Sequence, residues 1–185
     1  MKKILSYIAL SAIAMSGCGG DTEEIASVGS NYKLYSNSEI EISVPIDWDI
    51  IESGNFTSNV PSNTTVAFLS NEKNERFTSN VNITKSTNQE NTSLNDFSKS
   101  SMLNAKKKLL EFKQLSFEEE SINNTEAITY VFSGKQRAKE PILDFQQTFM
   151  KNEDTFYTIT FAHLPSETKA NIDKVNTGIN TITIL

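Results

Sequence analysis

From residue 31 onward, apolar and polar residues alternate singly, the mark of strands with one buried face. "EIEISV" sets Ile40, Ile42 and Val44 on one side and Glu39, Glu41 and Ser43 on the other. The alternation recurs in "VNIT" at 81 and in "YTITF" at 157, which turns Tyr157, Ile159 and Phe161 inward. "AITYVF" at 127 is apolar on both faces and reads as a central strand covered from both sides. Strands at 113–121 and 125–133 meet across Asn123-Asn124, a tight-turn pair. Strands at 142–150 and 155–162 meet across "KNED". Links this short force antiparallel neighbours, so the second half of the sheet is a meander.

Two segments change to helical spacing. "SLNDFSKSSMLNAKKKLLEF", 93–112, opens with a Ser93-x-x-Asp96 capping pattern. It spaces Leu94, Phe97, Met102, Ala105 and Leu109 for one buried face, with Lys106, Lys107 and Lys108 on a solvated side. At the other end of the chain, Pro165 suits a helix start. Ile172, Val175, Ile179 and Ile182 then follow at helical intervals, with Gly178 a tolerated weak point. The last residues read equally as a short strand. One antiparallel sheet with two amphipathic helices is an α+β domain.

The first residues are of another kind. Lys2 and Lys3 precede the apolar run Ile4 to Ala14, and small residues lead to Cys18. A charged start, a short apolar core and small residues before a break make an export signal. A membrane-spanning helix needs about 20 apolar residues, more than this run offers. The stretch "MSGC" resembles the lipobox of bacterial lipoproteins, with Met15 where Leu is usual. That resemblance implies cleavage between Gly17 and Cys18 and acylation of Cys18. Residues 18–30, rich in glycine and acids, then form a flexible tether, and 31–185 form the folded domain. Gly19 takes the place of the Asp that retains such proteins in an inner membrane. In a host with two membranes the expected location is the outer one, facing the periplasm.

Charge narrows the function. The chain carries −6 at pH 7, and −8 once Lys2 and Lys3 are gone. That balance excludes nucleic acid as partner, since such binding rests on clustered Lys and Arg. It also disfavours a second, electrostatic contact with anionic lipid. Cys18 is the single cysteine, so the domain has neither disulfides nor thiol chemistry. The triplets "NFT" at 55 and "NIT" at 82 are compositional accidents in a bacterially exported chain.

The order of elements carries a second resemblance. "SVPIDW", with Pro45 and Trp48 closing a strand, leads to "TVAFLS", "NVNITKS", the helix from "SLNDF", "EAITYVFSG", "FYTITF" and a terminal helix. Residues 32–185 resemble the PsbP-like group, which includes the DcrB-like bacterial lipoproteins. The resemblance implies an antiparallel sheet sandwiched by helices, an α/β/α arrangement. It implies no activity, because the group shares no catalytic motif and fold does not fix function. Some photosynthetic relatives hold a metal through His, and no matching His occurs here.

No constellation of catalytic residues is legible. His163 is the single imidazole and reads as a polar residue at a strand-to-helix turn. No G-x-S-x-G supplies a nucleophile, and no cluster has zinc-ligand spacing. Glu118, Glu119 and Glu120 read as a solvated edge, with Glu119 on the opposite face from the other two. Asp144 followed by Phe145 and Gln146-Gln147 reads as a polar strand, with the glutamine pair on an exposed sheet face. Trp48 reads as a core plug. The most basic loop, "GKQRAKEP", offers Lys135, Arg137 and Lys139 as an interaction surface for an acidic partner. The expected protein is therefore a non-enzymatic lipoprotein without cofactor or metal, held to a membrane by lipid and acting on a protein partner. The alternative is a carrier or sensor of a small apolar ligand between sheet and helix, lined by Phe145, Phe149 and Tyr157.

Overall fold

A computed structural model describes residues 29–56, 60–87 and 91–185. The export segment, Gly17, Cys18 and the tether as far as residue 28 lie outside the described residues. The alternating segments build two antiparallel sheets. The smaller holds β1 (Tyr32–Ser36), β2 (Ile40–Pro45) and β10 (Thr183–Ile184) in the order β1-β2-β10. The larger holds β3 (Asp49–Glu52), β4 (Thr64–Leu69), β5 (Asn80–Thr87), β6 (Leu110–Ile122), β7 (Thr125–Lys135), β8 (Leu143–Asn152) and β9 (Thr155–His163). Its order is β3-β4-β5-β9-β8-β7-β6. With α1 (Leu94–Lys108) and α2 (Lys169–Ile179), the chain is one α+β domain, as the sequence pattern predicts.

Each face of the large sheet has its own core. On one face α1 lays Leu94, Phe97, Met102 and Ala105 over Ile128, Phe132, Phe145, Phe149 and Phe156. Phe97 stacks on Phe156 at 4.1 Å between centroids and meets Phe149 edge-on at 6.0 Å. On the other face the small sheet and α2 cover Phe68, Ile83, Ile159 and Phe161 with Ile40, Ile42, Val44, Val175 and Ile179. Trp48, 1% exposed, belongs to this second core and lies against Phe161.

Several boundaries differ from the sequence pattern. α1 stops at Lys108 rather than at 112. Leu109 turns extended while its N–H still bonds the carbonyl of Ala105, and Phe112 then packs beside Phe132 as part of β6. Pro165 does not open α2. The turn 164–167 closes through the Glu167 N–H to the Leu164 carbonyl, and Thr168 caps the helix by accepting from the Asn171 N–H. The last residues take the strand alternative, with Ile184 opposite Ile40. β3 is an element with no counterpart in the alternation read from the sequence. "AITYVF" lies in β7, one strand from the edge, and β9 is the central strand. Thr158 and Thr160, the polar side of the β9 alternation, lie beneath α1 with Phe156 and Ala162, because α1 covers the face that alternation assigns to water.

One turn fixes the register of the β6–β7 hairpin. Asn123 and Asn124 have φ of 47° and 64°, the left-handed pair that a two-residue hairpin requires and that Asn accepts. The Asn123 amide also donates to the carbonyls of Thr181 and Ile182, which ties this hairpin to the chain's end.

Gly178 is a contact rather than a weak point. A Cβ there would overlap the Ser43 carbonyl oxygen, a backbone atom that cannot swing aside. Beside it, Thr181 Oγ1 accepts from the Ser43 N–H at 2.7 Å and donates to the Gly178 carbonyl. Gly178→Ala is expected to lift α2 from β2 and lower stability by about 1–3 kcal/mol, despite alanine's higher helix propensity. Urea unfolding monitored through Trp48 measures this; a gain in stability would mean that the approach is not tight.

Candidate functional site

The antiparallel register gathers distant segments at one rim of the large sheet. Leu110 pairs with Lys135, Gly134 with Leu143, Asp144 with His163, and Asn80 with both Ala162 and Leu69. The end of α1, the 136–142 loop, the 164–168 turn and the 70–79 loop therefore all lie at this rim. The chain also joins the domain here: Tyr32 pairs with Pro45, and the Ile46 N–H donates to the Asn31 carbonyl.

Lys106, Lys107 and Lys108 occupy the exposed last turn of α1, where they also complement the negative end of the helix dipole. Across the β6–β7 pairing stand Lys135, Arg137 and Lys139. Lys135 is half-buried and pairs with Glu111 at 2.8 Å, while Arg137, 82% exposed, faces Glu140 at 3.6 Å. The three predicted loop cations are thus brought together with three helix lysines. Exposed apolar side chains are interleaved with them, Leu110 at 48% and Ile142 at 38%. The opposite rim carries exposed Glu118, Glu119, Glu120, Glu126, Glu153 and Asp154. An acidic protein therefore presents one basic corner, where α1 ends beside the 136–142 loop. The sequence conceals this because α1 and the loop become neighbours only through the β6–β7 hairpin.

Where the chain joins the domain, charge is compensated. Lys174 pairs with Asp47 at 2.5 Å. Burial pushes the Asp47 carboxyl up, but the Lys174 hydrogen bond, a backbone hydrogen bond and the charges of Lys174 and Lys33 together outweigh it and hold the group below the ordinary carboxylate range. The Lys33 ammonium donates to the Trp48 carbonyl. Burial lowers its affinity for a proton, and Asp49 and Asp47 only partly restore it.

His163 is buried at the end of β9, with Nδ1 2.8 Å from the Leu164 carbonyl and its ring 4.7 Å from that of Phe161. The nearby Ser79 hydroxyl donates to the Glu167 carboxylate, so it is engaged by an acid rather than by the imidazole. Among the described residues, no three His, Cys, Asp or Glu side chains converge as a metal site. Glu118 and Glu120 face one side of β6, opposite Thr129 and Ala127, and Glu119 faces the other, opposite Ile128. Glu120 accepts from the Thr129 hydroxyl at 2.7 Å.

The glutamine pair is a correction. Gln147 is 3% exposed beneath α1, donating to Thr160 Oγ1 at 3.1 Å, because this face of β8 is covered by the helix. The residues named for an apolar pocket are separated too. Phe145 and Phe149 point into the α1 core and Tyr157 into the other, so they line no common cavity. A void of about 10 Å³ beside Ile42, Trp48, Val175 and Ile179 has room for one water at most.

No family model matches the chain, and no curated protein does. Solved structures share its fold. The cyanobacterial PsbP (CyanoP) from Synechocystis superposes with a TM-score of 0.62 at 12% identity, over 92% of this chain and 99% of that one. LpqN of Mycobacterium tuberculosis, involved in cell envelope biogenesis, gives 0.56 at 15%, over 78% and 82%. The Ran-binding protein Mog1p of Saccharomyces cerevisiae gives 0.55 at 12%, over 83% and 95%. The fold is PsbP-like. Among the described residues no helix is long and apolar enough to cross a membrane.

Glu167 has a measurable consequence. Burial pushes its carboxyl up, yet the hydrogen bonds from Ser79 and from the Thr168 N–H prevail and hold it below the ordinary range. A depressed carboxyl stabilises the fold above its unfolded value, about pH 4.3, and the contribution fades as pH falls through the folded value. Ser79→Ala is expected to lose less stability than wild type between about pH 5.5 and about pH 3. Thermal melts across that range decide it, and parallel pH profiles would show that the bond does not couple to protonation.

Proposed function

We propose that this protein is a non-catalytic lipoprotein that acts by binding another protein of the cell envelope. Residues 1–17 export it, cleavage falls between Gly17 and Cys18, and acyl chains on Cys18 hold it to the membrane, the outer one where there are two. Two or more chains are needed for stable anchoring, and the lipobox-like stretch "MSGC" supports this reading.

The observation that carries the interaction reading is the pair of exposed apolar side chains on edge strand β6, Leu115 at 48% and Phe117 at 42%. Phe117 leans on Tyr130 at 4.8 Å, so it is held in place rather than free to fold away. Neighbouring folds support an accessory or binding role: LpqN is involved in envelope biogenesis and Mog1p binds Ran.

Intact mass of the membrane-extracted chain is expected to exceed that of the polypeptide from Cys18 by a diacylglyceryl group and an acyl chain, and Cys18→Ser is expected to lack both. A photo-crosslinker at Leu115 is expected to give one discrete adduct in cells, lost in Cys18→Ser and in Phe117→Lys but kept in His163→Ala. An unmodified mass would sink the anchor. An adduct indifferent to Phe117→Lys would sink the proposed surface.

A further inference from the structure

The net negative charge argues against a lipid-facing surface only if charge is spread evenly, and here it is segregated. Lys106, Lys107 and Lys108 end α1 at the rim that also carries Lys135, Arg137 and Lys139, while Glu118, Glu119, Glu120, Glu126, Glu153 and Asp154 lie toward the opposite rim. Where α1 ends beside the 136–142 loop, these six cations stand against the carboxylates of Glu111, Glu140 and Asp144, so the corner is positive by count whichever of them are paired. Leu110 and Ile142 stand exposed among these cations, and an amphipathic mixture of this kind settles into the headgroup layer of a bilayer. The chain joins the domain at this same rim, at Asn31 beside Ile46.

Resting on the anchor reading above, we infer that the basic rim docks on the anionic headgroups of the membrane to which Cys18 is attached. The eleven residue steps from Cys18 to Gly29 span at most about 40 Å, whatever their conformation. The domain is thereby kept within a few screening lengths of the surface, each about 8 Å at physiological salt. The basic rim turns toward the bilayer and the acidic rim turns away, which orients the β6 edge for a partner. Asp21, Glu23 and Glu24 make the chain's own tether the competing occupant of the rim.

The test uses the mature chain extracted from membranes. Cys18 is its single cysteine, so an environment-sensitive label can be placed at Ala138→Cys in the basic loop or at Ser121→Cys toward the far end of β6. Each is reconstituted with phosphatidylcholine vesicles or with equimolar phosphatidylglycerol and phosphatidylcholine. At position 138, access of an aqueous quencher is expected to fall about fivefold on the anionic vesicles relative to the neutral ones, with position 121 unchanged. Combined Lys106→Glu, Lys107→Glu and Lys139→Glu is expected to abolish the difference, as is salt of about 1 M, where screening acts within about 3 Å. Lys99→Glu, an exposed change earlier on α1, is expected to preserve it, and unchanged thermal melts confirm folding. Equal access at 138 on both vesicle types would overturn the inference. So would shielding without vesicles, which would assign the rim to the acidic tether. Flotation separates the two readings. A chain that floats only with anionic vesicles, with position 138 shielded, keeps the rim and loses the anchor; one that floats with neither loses both.

Discussion

Strand β9 is buried on both faces, and the rest of the domain is arranged to make that possible. Phe156 and Ala162 need α1 above them, whereas Ile159 and Phe161 need β2 and α2 below. Neither cover can be omitted without exposing aromatic surface, and each Phe removes some 150–250 Å² from water. The stacked Phe97–Phe156 pair and the Trp48–Phe161 contact are the two ends of this arrangement, one on each side of the sheet. Because the sides share strands, they fold as one unit, and Phe145 and Phe149 are fully buried against α1.

The second cover is held by backbone geometry as much as by apolar contact. α2 is short and its apolar face is narrow, so it reaches the sheet only by bringing Gly178 against the Ser43 carbonyl. Thr181 and Asn123 then hold the segment after α2, which lets Thr183–Ile184 complete the small sheet. A residue that propensity alone marks as a defect is the one whose missing side chain lets two elements meet.

At the surface, edges and charge decide what binds. β6 is a long edge strand, a natural template for unwanted pairing. Register shifts interrupt its first half, and three glutamates guard the second. Leu115 and Phe117 stay exposed between those two protections. The basic rim and the acidic rim are a separate layer of organisation, set by which ends of which strands coincide. A membrane-tethered domain can use such polarity to present one side consistently, which a uniform charge would not allow.

The sequence by itself determined the class of fold, the hairpins and one core face of the alternating strands. Alternation, capping residues and paired asparagines act over a few residues, and Ser93, Asn123 and Asn124 do what their chemistry dictates. Even Trp48 was legible as a plug, since a large apolar ring behind Val44-Pro45 has nowhere else to go. Position within the sheet was not legible: "AITYVF" has the composition of a central strand and lies next to the edge, because strand order depends on long-range pairing. Gln147 and Gly178 were misread for the same reason, since their roles depend on α1 and β2, elements distant in sequence. The charge polarity also belongs to tertiary structure alone. Net charge is a sum along the chain, but a field at a surface depends on where the folded backbone sets each charge. Only the β6–β7 register brings the lysines of α1 beside Lys135, Arg137 and Lys139.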